Sequence, residues 1–213
     1  MTEIKFTSRA DLVFERLESD ILTGVYKRGE LLTESELSKS LNVSRTPIRE
    51  AIRRLEQEHL IKETSKGSVV VGVSEQDILD IYDIRIKIEG VATKLCAENA
   101  TSEVIKEMGD VIDLQEFYSK KGEAEKVKSA DSRFHELIYK NSGSEIYEYI
   151  LLSLHSKVQL TRKNSMQESE RSLEALKEHK EIYLAIKERN GDLAEKLMVK
   201  HVTNAKSNIT RLK

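Results

Sequence analysis

The sequence predicts a mainly α protein in two parts. An N-terminal unit of three helices and a small β-hairpin (residues 1–73) precedes an antiparallel all-α helical bundle (residues 74–213). Three observations carry this. The 213 residues include one proline, and Leu, Ile, Glu and Lys, which hold helices well, are abundant. Apolar residues recur at three- and four-residue spacing through most of the chain. The β-like runs gather around Ser65-Lys66-Gly67, and beyond residue 73 the pattern is helical throughout.

Residues 9–22 form an amphipathic helix with Leu12, Val13, Leu17, Ile21 and Leu22 at helical spacing, ended by Gly24. A short helix runs from Glu34 to about Ser40, and Thr33 and Glu36 have the spacing of a capping box. Asn42-Val43 turns the chain. Ser44 caps a third helix whose first turn holds Pro47, where a missing N–H costs little, and which points Ile48, Ile52 and Leu55 inward. Leu60–Glu63 and Ser68–Val73 are the strands of the hairpin. Ser74 opens a long helix to about Asn99. Helices over 102–119, 123–140, 144–163, 169–189 and 192–210 follow, separated at Gly122, Asn141-Ser142-Gly143, Asn164-Ser165 and Asn190-Gly191.

Composition narrows the setting. Hydrophobic residues make up 38% and charged residues 34%, enough apolar material for a core under charged helix faces. No apolar run is long enough to span a bilayer, and the polar start MTEIKFTSRADLVFERLESD lacks the apolar centre of a secretion signal. The single Cys96 excludes an intrachain disulfide and sits in an apolar helical stretch, as a buried thiol would in the cytoplasm. Net charge is −2, but its distribution is uneven: Ser44–Arg54 holds Arg45, Arg49, Arg53 and Arg54 against the lone Glu50.

Three helices and a hairpin in this order make a winged helix-turn-helix pattern. Arg45, Arg49 and Arg53 fall at i, i+4 and i+8, roughly opposite Ile48, Ile52 and Leu55. The bland account is a solvated charged face. The functional one is a recognition helix whose arginines bond guanine edges or grip phosphates in the major groove. Ser44 and Thr46 then stand at the helix N-terminus, where side chains approach bases, and Lys66 and Gly67 stand at the tip of the wing. The run Glu34-x-Glu36-Leu37…Leu41-Asn42-Val43-Ser44-Arg45-Thr46-Pro47-Ile48-Arg49-Glu50-Ala51 closely resembles the GntR family of regulators, and the likeness continues through Leu55, Leu60-Ile61 and Gly67. It implies that Arg45, Thr46 and Arg49 contact double-stranded operator DNA and that the protein acts as a homodimer. Many relatives carry a DNA-contacting arginine where this chain has Ser35.

A second constellation lies in the bundle. Asp131 and His135, four apart, share one helix face, and His179 and His201 each interrupt an apolar stripe. Leu173, Leu176, Tyr183 and Ile186 frame His179; Leu197, Met198 and Ala205 frame His201. Ionisable side chains inside a bundle are costly unless paired or metal-bound. Three imidazoles and a carboxylate suit a divalent metal, zinc first and nickel or manganese as alternatives. The set resembles the FCD ligand-binding domain found behind GntR-type DNA-binding units, whose metal-binding members use Asp-x-x-x-His and two later histidines. His59 and His155 fall outside the set.

Arg85 interrupts the stripe Ile78, Ile81, Ile88, Ala92, Leu95. Its partner is either a protein carboxylate such as Glu89 or the carboxylate of a small effector, since guanidinium binds carboxylate bidentately. Arg162 is a second candidate for effector binding. An octahedral ion on the four ligands would have two positions left for such a carboxylate. Two rival functions use the same residues: a regulator for which the metal is itself the signal, and a metalloenzyme with an activated water.

Overall fold

The computed structural model describes residues 8–161 and 166–211, with side chains described for 8–161 and 171–209. The chain divides into two compact units, Met1–Ser74 and Glu75–Lys213.

In the first unit the order is α1 (Arg9–Leu22), β1 (Leu31–Leu32), α2 (Glu34–Leu41), α3 (Arg45–Gln57), β2 (Ile61–Thr64) and β3 (Gly67–Val70). Ser8 starts α1 through a complete capping box with Asp11. The Thr33 hydroxyl starts α2, accepting from the Glu36 amide at 3.3 Å while donating to the Glu36 carboxylate at 2.7 Å. Asn42 takes a left-handed conformation (φ 52°) at the end of α2, and its amide bonds back to the Ser38 carbonyl. That residue makes the sharp turn of the helix-turn-helix. Helix α1 packs on α3. Leu17, Ile48, Ala51 and Leu55 are fully buried in the core. Leu12 departs from the predicted stripe and is 56% exposed.

A short strand not read from the sequence, β1, joins the hairpin, giving an antiparallel sheet of order β1-β3-β2. Two residues are too few for an alternating pattern. Gly67 (φ +136°) is required where these strands meet, because a Cβ there would lie 2.7 Å from the Leu32 carbonyl oxygen.

The second unit is a bundle of α4 (Glu75–Asn99), α5 (Ser102–Lys121), α6 (Ala124–Lys140), α7 (Glu145–Thr161), α8 (Met166–Lys187) and α9 (Gly191–Arg211). Helix α4 packs on α6, α7, α8 and α9. Its approach to α9 depends on Gly90, where a Cβ would meet Val199 Cγ2 at 2.7 Å. Met108, Phe134, Ile138, Leu151, Ile182, Met198 and Val202 fill the core with essentially no exposure. Each contributes about 1.5–3 kcal/mol of transfer free energy. Leu173, predicted to frame His179, is 52% exposed on the outer side of α8. Among the described residues no helix is long and apolar enough to cross a membrane.

Candidate metal centre and DNA-reading helix

On α3, the arginines separate by role. Arg45, Thr46, Arg49 and Arg53 are exposed, while Ile48, Ala51 and Leu55 face the core. Arg54 turns back to α1, bonding Asp11 at 2.6 Å and stacking over the Phe14 ring at 4.0 Å. Arg49 forms a two-pronged pair with Glu34 of α2, both contacts at 3.0 Å. Ser44 occupies the cap position but its side chain makes no capping hydrogen bond. The predicted side-chain cap is therefore not formed. The exposed hydroxyl sits at a helix N-terminus, where amide groups point outward and anions are favoured. Lys66 is exposed in the turn between β2 and β3.

In the bundle, α6 supplies His135, α8 supplies His179 and α9 supplies His201. All three are buried, and one ring nitrogen from each lies within 4.8 Å of the others. Each outward nitrogen lies against a side-chain oxygen. His135 Nδ1 is 2.7 Å from Glu89 Oε1, His179 Nδ1 is 3.1 Å from Gln115 Oε1, and His201 Nδ1 is 2.7 Å from Glu178 Oε2. An imidazole that donates from Nδ1 carries its lone pair on Nε2. Burial, with His201 beside it, drives the pKa of His179 well below the usual imidazole value, and burial lowers His201 too. These two rings are therefore neutral at neutral pH, the form that binds metals.

His179 Nε2 and His201 Nε2 face each other at 3.4 Å; with both rings donating from Nδ1, the two are acceptors that an ion could join. A tetrahedral zinc with Zn–N of about 2.0–2.1 Å separates two nitrogen ligands by roughly 3.3–3.4 Å. The donor set fits such an ion, and the oxygen partners on each Nδ1 are the outer layer that orients metal-binding histidines. Asp131 is farther out. Its Oδ1 lies 3.8 Å from His179 Nε2, and its Oδ2 accepts the Gln159 amide at 2.9 Å. The structure thus brings three of the four predicted ligands into one cluster, with Asp131 beside it.

Of the two partners open to Arg85, a protein carboxylate or an incoming one, it meets Glu89, Nε to Oε2 at 2.8 Å and Nη2 to Oε1 at 3.2 Å. The two are one turn apart on α4 and both buried. Glu89 also accepts from the Tyr139 hydroxyl at 2.7 Å. Burial alone would raise the Glu89 pKa, but Arg85 and His135 outweigh it and hold the carboxyl well below its ordinary value. Arg85 therefore steadies the residue that orients His135. Arg162 lies outside the described residues. His155 is buried next to His135, ring centroids 4.9 Å apart, with its Nδ1 unpartnered.

Glu89, Gln115, Tyr139 and Glu178 had not been placed at the site from sequence. Gln115 carried a legible signal: it extends the buried face Met108, Val111, Ile112 of α5, where a polar residue is out of place.

Comparison with known proteins agrees with this division. The model of the FCD domain matches residues 80–204, and that of the gntR family of bacterial regulatory proteins matches residues 9–71. The chain is 28% identical over 200 residues to the gluconate operon transcriptional repressor of Bacillus licheniformis, covering 89% of this chain and 81% of that protein. It is 24% identical over 202 residues to the transcriptional repressor RspR of Escherichia coli strain K12, covering 94% and 89%. The solved structure of E. coli McbR/YncC superposes with a TM-score of 0.76 at 20% identity, covering 96% of this chain and 98% of that one. The two repressors are named as regulators of transcription rather than enzymes. The chain belongs to the GntR family of bacterial regulatory proteins, in the branch that carries an FCD domain, and is a DNA-binding transcription regulator.

Proposed function

We propose that this regulator is ligand-controlled: its bundle holds one divalent metal, zinc in the first place, and a small carboxylate metabolite reaching that centre alters operator affinity. The ligands would be Nε2 of His135, His179 and His201, with the Asp131 carboxylate. The three buried histidines, each offering a ring nitrogen within 4.8 Å of the others, carry this reading. Once bound, the ion supplies a Lewis-acidic point that an exogenous carboxylate can join. The protein's own part is orientation: Glu89, Gln115 and Glu178 fix the three rings, and Arg85 fixes Glu89.

On the DNA side, Arg45, Thr46, Arg49 and Arg53 of α3 would enter the major groove of a pseudo-palindromic operator as a homodimer acting in the cytoplasm, with Ser44 on a phosphate and Lys66 of the wing on the flanking backbone. Gly67 serves the wing through its conformation. Effector and operator would be linked reciprocally, typically by ~1–3 kcal/mol.

The test is elemental analysis joined to DNA binding. Purified protein should carry about one zinc per chain, and the double variant His179→Ala/His201→Ala should carry none. Anisotropy on a duplex selected from randomised DNA should then change with a carboxylate in wild type and not in the double variant. Full metal occupancy in that variant refutes the ligand assignment. A response to zinc alone, with no effect of any carboxylate, would make the ion itself the signal.

A further inference from the structure

Between α8 and α9 lies a cavity of about 440 Å³, within the range of small-molecule sites. Its wall includes Arg171, Lys177 and Glu178 from α8 and Lys200 and Asn204 from α9. Arg171 is 6% exposed, yet its Nε and Nη1 have no hydrogen-bond partner. Its Nη2 donates to Glu178 Oε2 at 2.6 Å and, more weakly, to the His201 carbonyl at 3.3 Å. Nη1 lies 3.8 Å from Glu174 Oε2, too long for a hydrogen bond, and Glu174 is 69% exposed. A buried guanidinium left with idle donors is costly to the fold. It makes sense as a group awaiting an acceptor.

The charge pattern says which acceptor. Glu178 is already engaged by Arg171 Nη2, His201 Nδ1 at 2.7 Å and Asn204 Nδ2 at 2.7 Å. Lys177 and Lys200 stand exposed on the same cavity. The lining thus has a cationic pole at depth and a second at its mouth. Two cationic poles on one cavity suit a molecule with more than one anionic group. The planar guanidinium favours carboxylate over a spherical ion.

We propose that this cavity is the receptor for a small dicarboxylate, with Arg171 as the inner clamp and Lys177 and Lys200 as the outer one, and that occupancy is relayed to the histidine cluster through Glu178. A carboxylate on the Nη1–Nη2 edge of Arg171 competes with Glu178 for Nη2. Glu178 is the residue that holds His201 Nδ1, so the competition reaches His201 directly. The relay rests on the reading of the cluster as a metal centre; the cavity itself does not. It also moves effector recognition from Arg85, which Glu89 engages, to an arginine with unused donors.

The experiment is calorimetric titration of the full-length, zinc-loaded chain with succinate, using butyrate as the single-charge control. Succinate should bind saturably and butyrate at least about tenfold more weakly. Arg171→Gln and Lys200→Gln should each weaken succinate about tenfold or more. Lys200 is exposed, so its variant separates lost recognition from lost folding. Glu174→Gln, which removes the competing acid, should strengthen binding. Zinc affinity, read by competition with a chromophoric chelator, should shift with succinate in wild type and should need about tenfold more succinate for the same shift in Lys200→Gln. Succinate binding that is absent, or unchanged in both Arg171→Gln and Lys200→Gln, overturns the cavity assignment even if zinc is present at one per chain. Arg171-dependent succinate binding by a protein that holds no zinc would uphold the cavity and overturn the metal reading and its relay.

Discussion

Replacing Glu89 by glutamine tests the network beneath the metal centre without touching a ligand. Glu89 is fully buried and takes Arg85 in two contacts, His135 Nδ1 and the Tyr139 hydroxyl. Glutamine preserves the volume but removes the charge. It leaves the guanidinium of Arg85, 5% exposed, without a counter-ion. Breaking a buried pair from one side costs about 3–5 kcal/mol, and the retained amide oxygen places this change near the lower end. At roughly 3 °C per kcal/mol for a unit of this size, the metal-free bundle should melt about 10 °C lower. Calorimetry of chelator-treated protein measures that shift. The second effect is on the metal: a glutamine amide can donate as well as accept, so His135 is no longer held in one tautomer, and zinc affinity should fall about 10- to 100-fold. Replacing Arg85 and Glu89 together by methionine should recover most of the lost stability and none of the lost zinc affinity, because the uncompensated charge is gone but the ring remains unheld. Unchanged melting and unchanged zinc affinity in Glu89→Gln would refute the reasoning.

Arg45→Ala and Arg49→Ala should each weaken a selected operator roughly 10- to 100-fold, with melting temperature unchanged, since both side chains are exposed; anisotropy at several salt concentrations should also give a shallower salt slope for a lost phosphate contact. Cys96 should resist iodoacetamide in folded protein at pH 8 and react once unfolded, because burial lifts its thiol to about 12. The sign follows: this group leaves stability unaffected below the unfolded thiol value near ~8.5 and lowers it above, where the unfolded chain alone ionises. Gly90→Ala should destabilise the bundle by about 1–3 kcal/mol, read by chemical denaturation, because the new methyl must displace Val199.

Much of the fold was legible because helices are local. Helix caps and breaks such as Thr33, Asn42, Gly122 and Asn190-Gly191 placed the elements to within a few residues of the observed bounds. Periodicity was less able to say which stripe residues are inside. Leu12 and Leu173 sit at helical spacing but at the edge of the apolar face, and both point outward. The histidines stood out because each interrupts an apolar run. Their partners did not, because pairing is a long-range property: Glu89 is 46 positions from His135, and Gln115 is 64 from His179. Arg85 was seen as needing an anion, and Glu89 was named as one of two possible partners. Only packing reveals that Glu89 is free to turn inward, because His135 and Tyr139 meet it from α6.

The histidine cluster also has a meaning for chain topology. His179 and His201 are 22 positions apart and lie on the last two helices, while His135 lies roughly 40 residues earlier on another. An ion gripping all three would act as a cross-link between distant parts of the polymer, restricting the unfolded ensemble much as a disulfide does. Closing loops of these lengths is worth about 3–4 kcal/mol each in a chain-entropy description. Unlike a disulfide, this link persists under reducing conditions and answers to the free concentration of an ion. A chain with a single cysteine would thereby gain covalent-like constraint on α6, α8 and α9 without any redox chemistry. Hydrogen exchange on those three helices should slow together when metal is added.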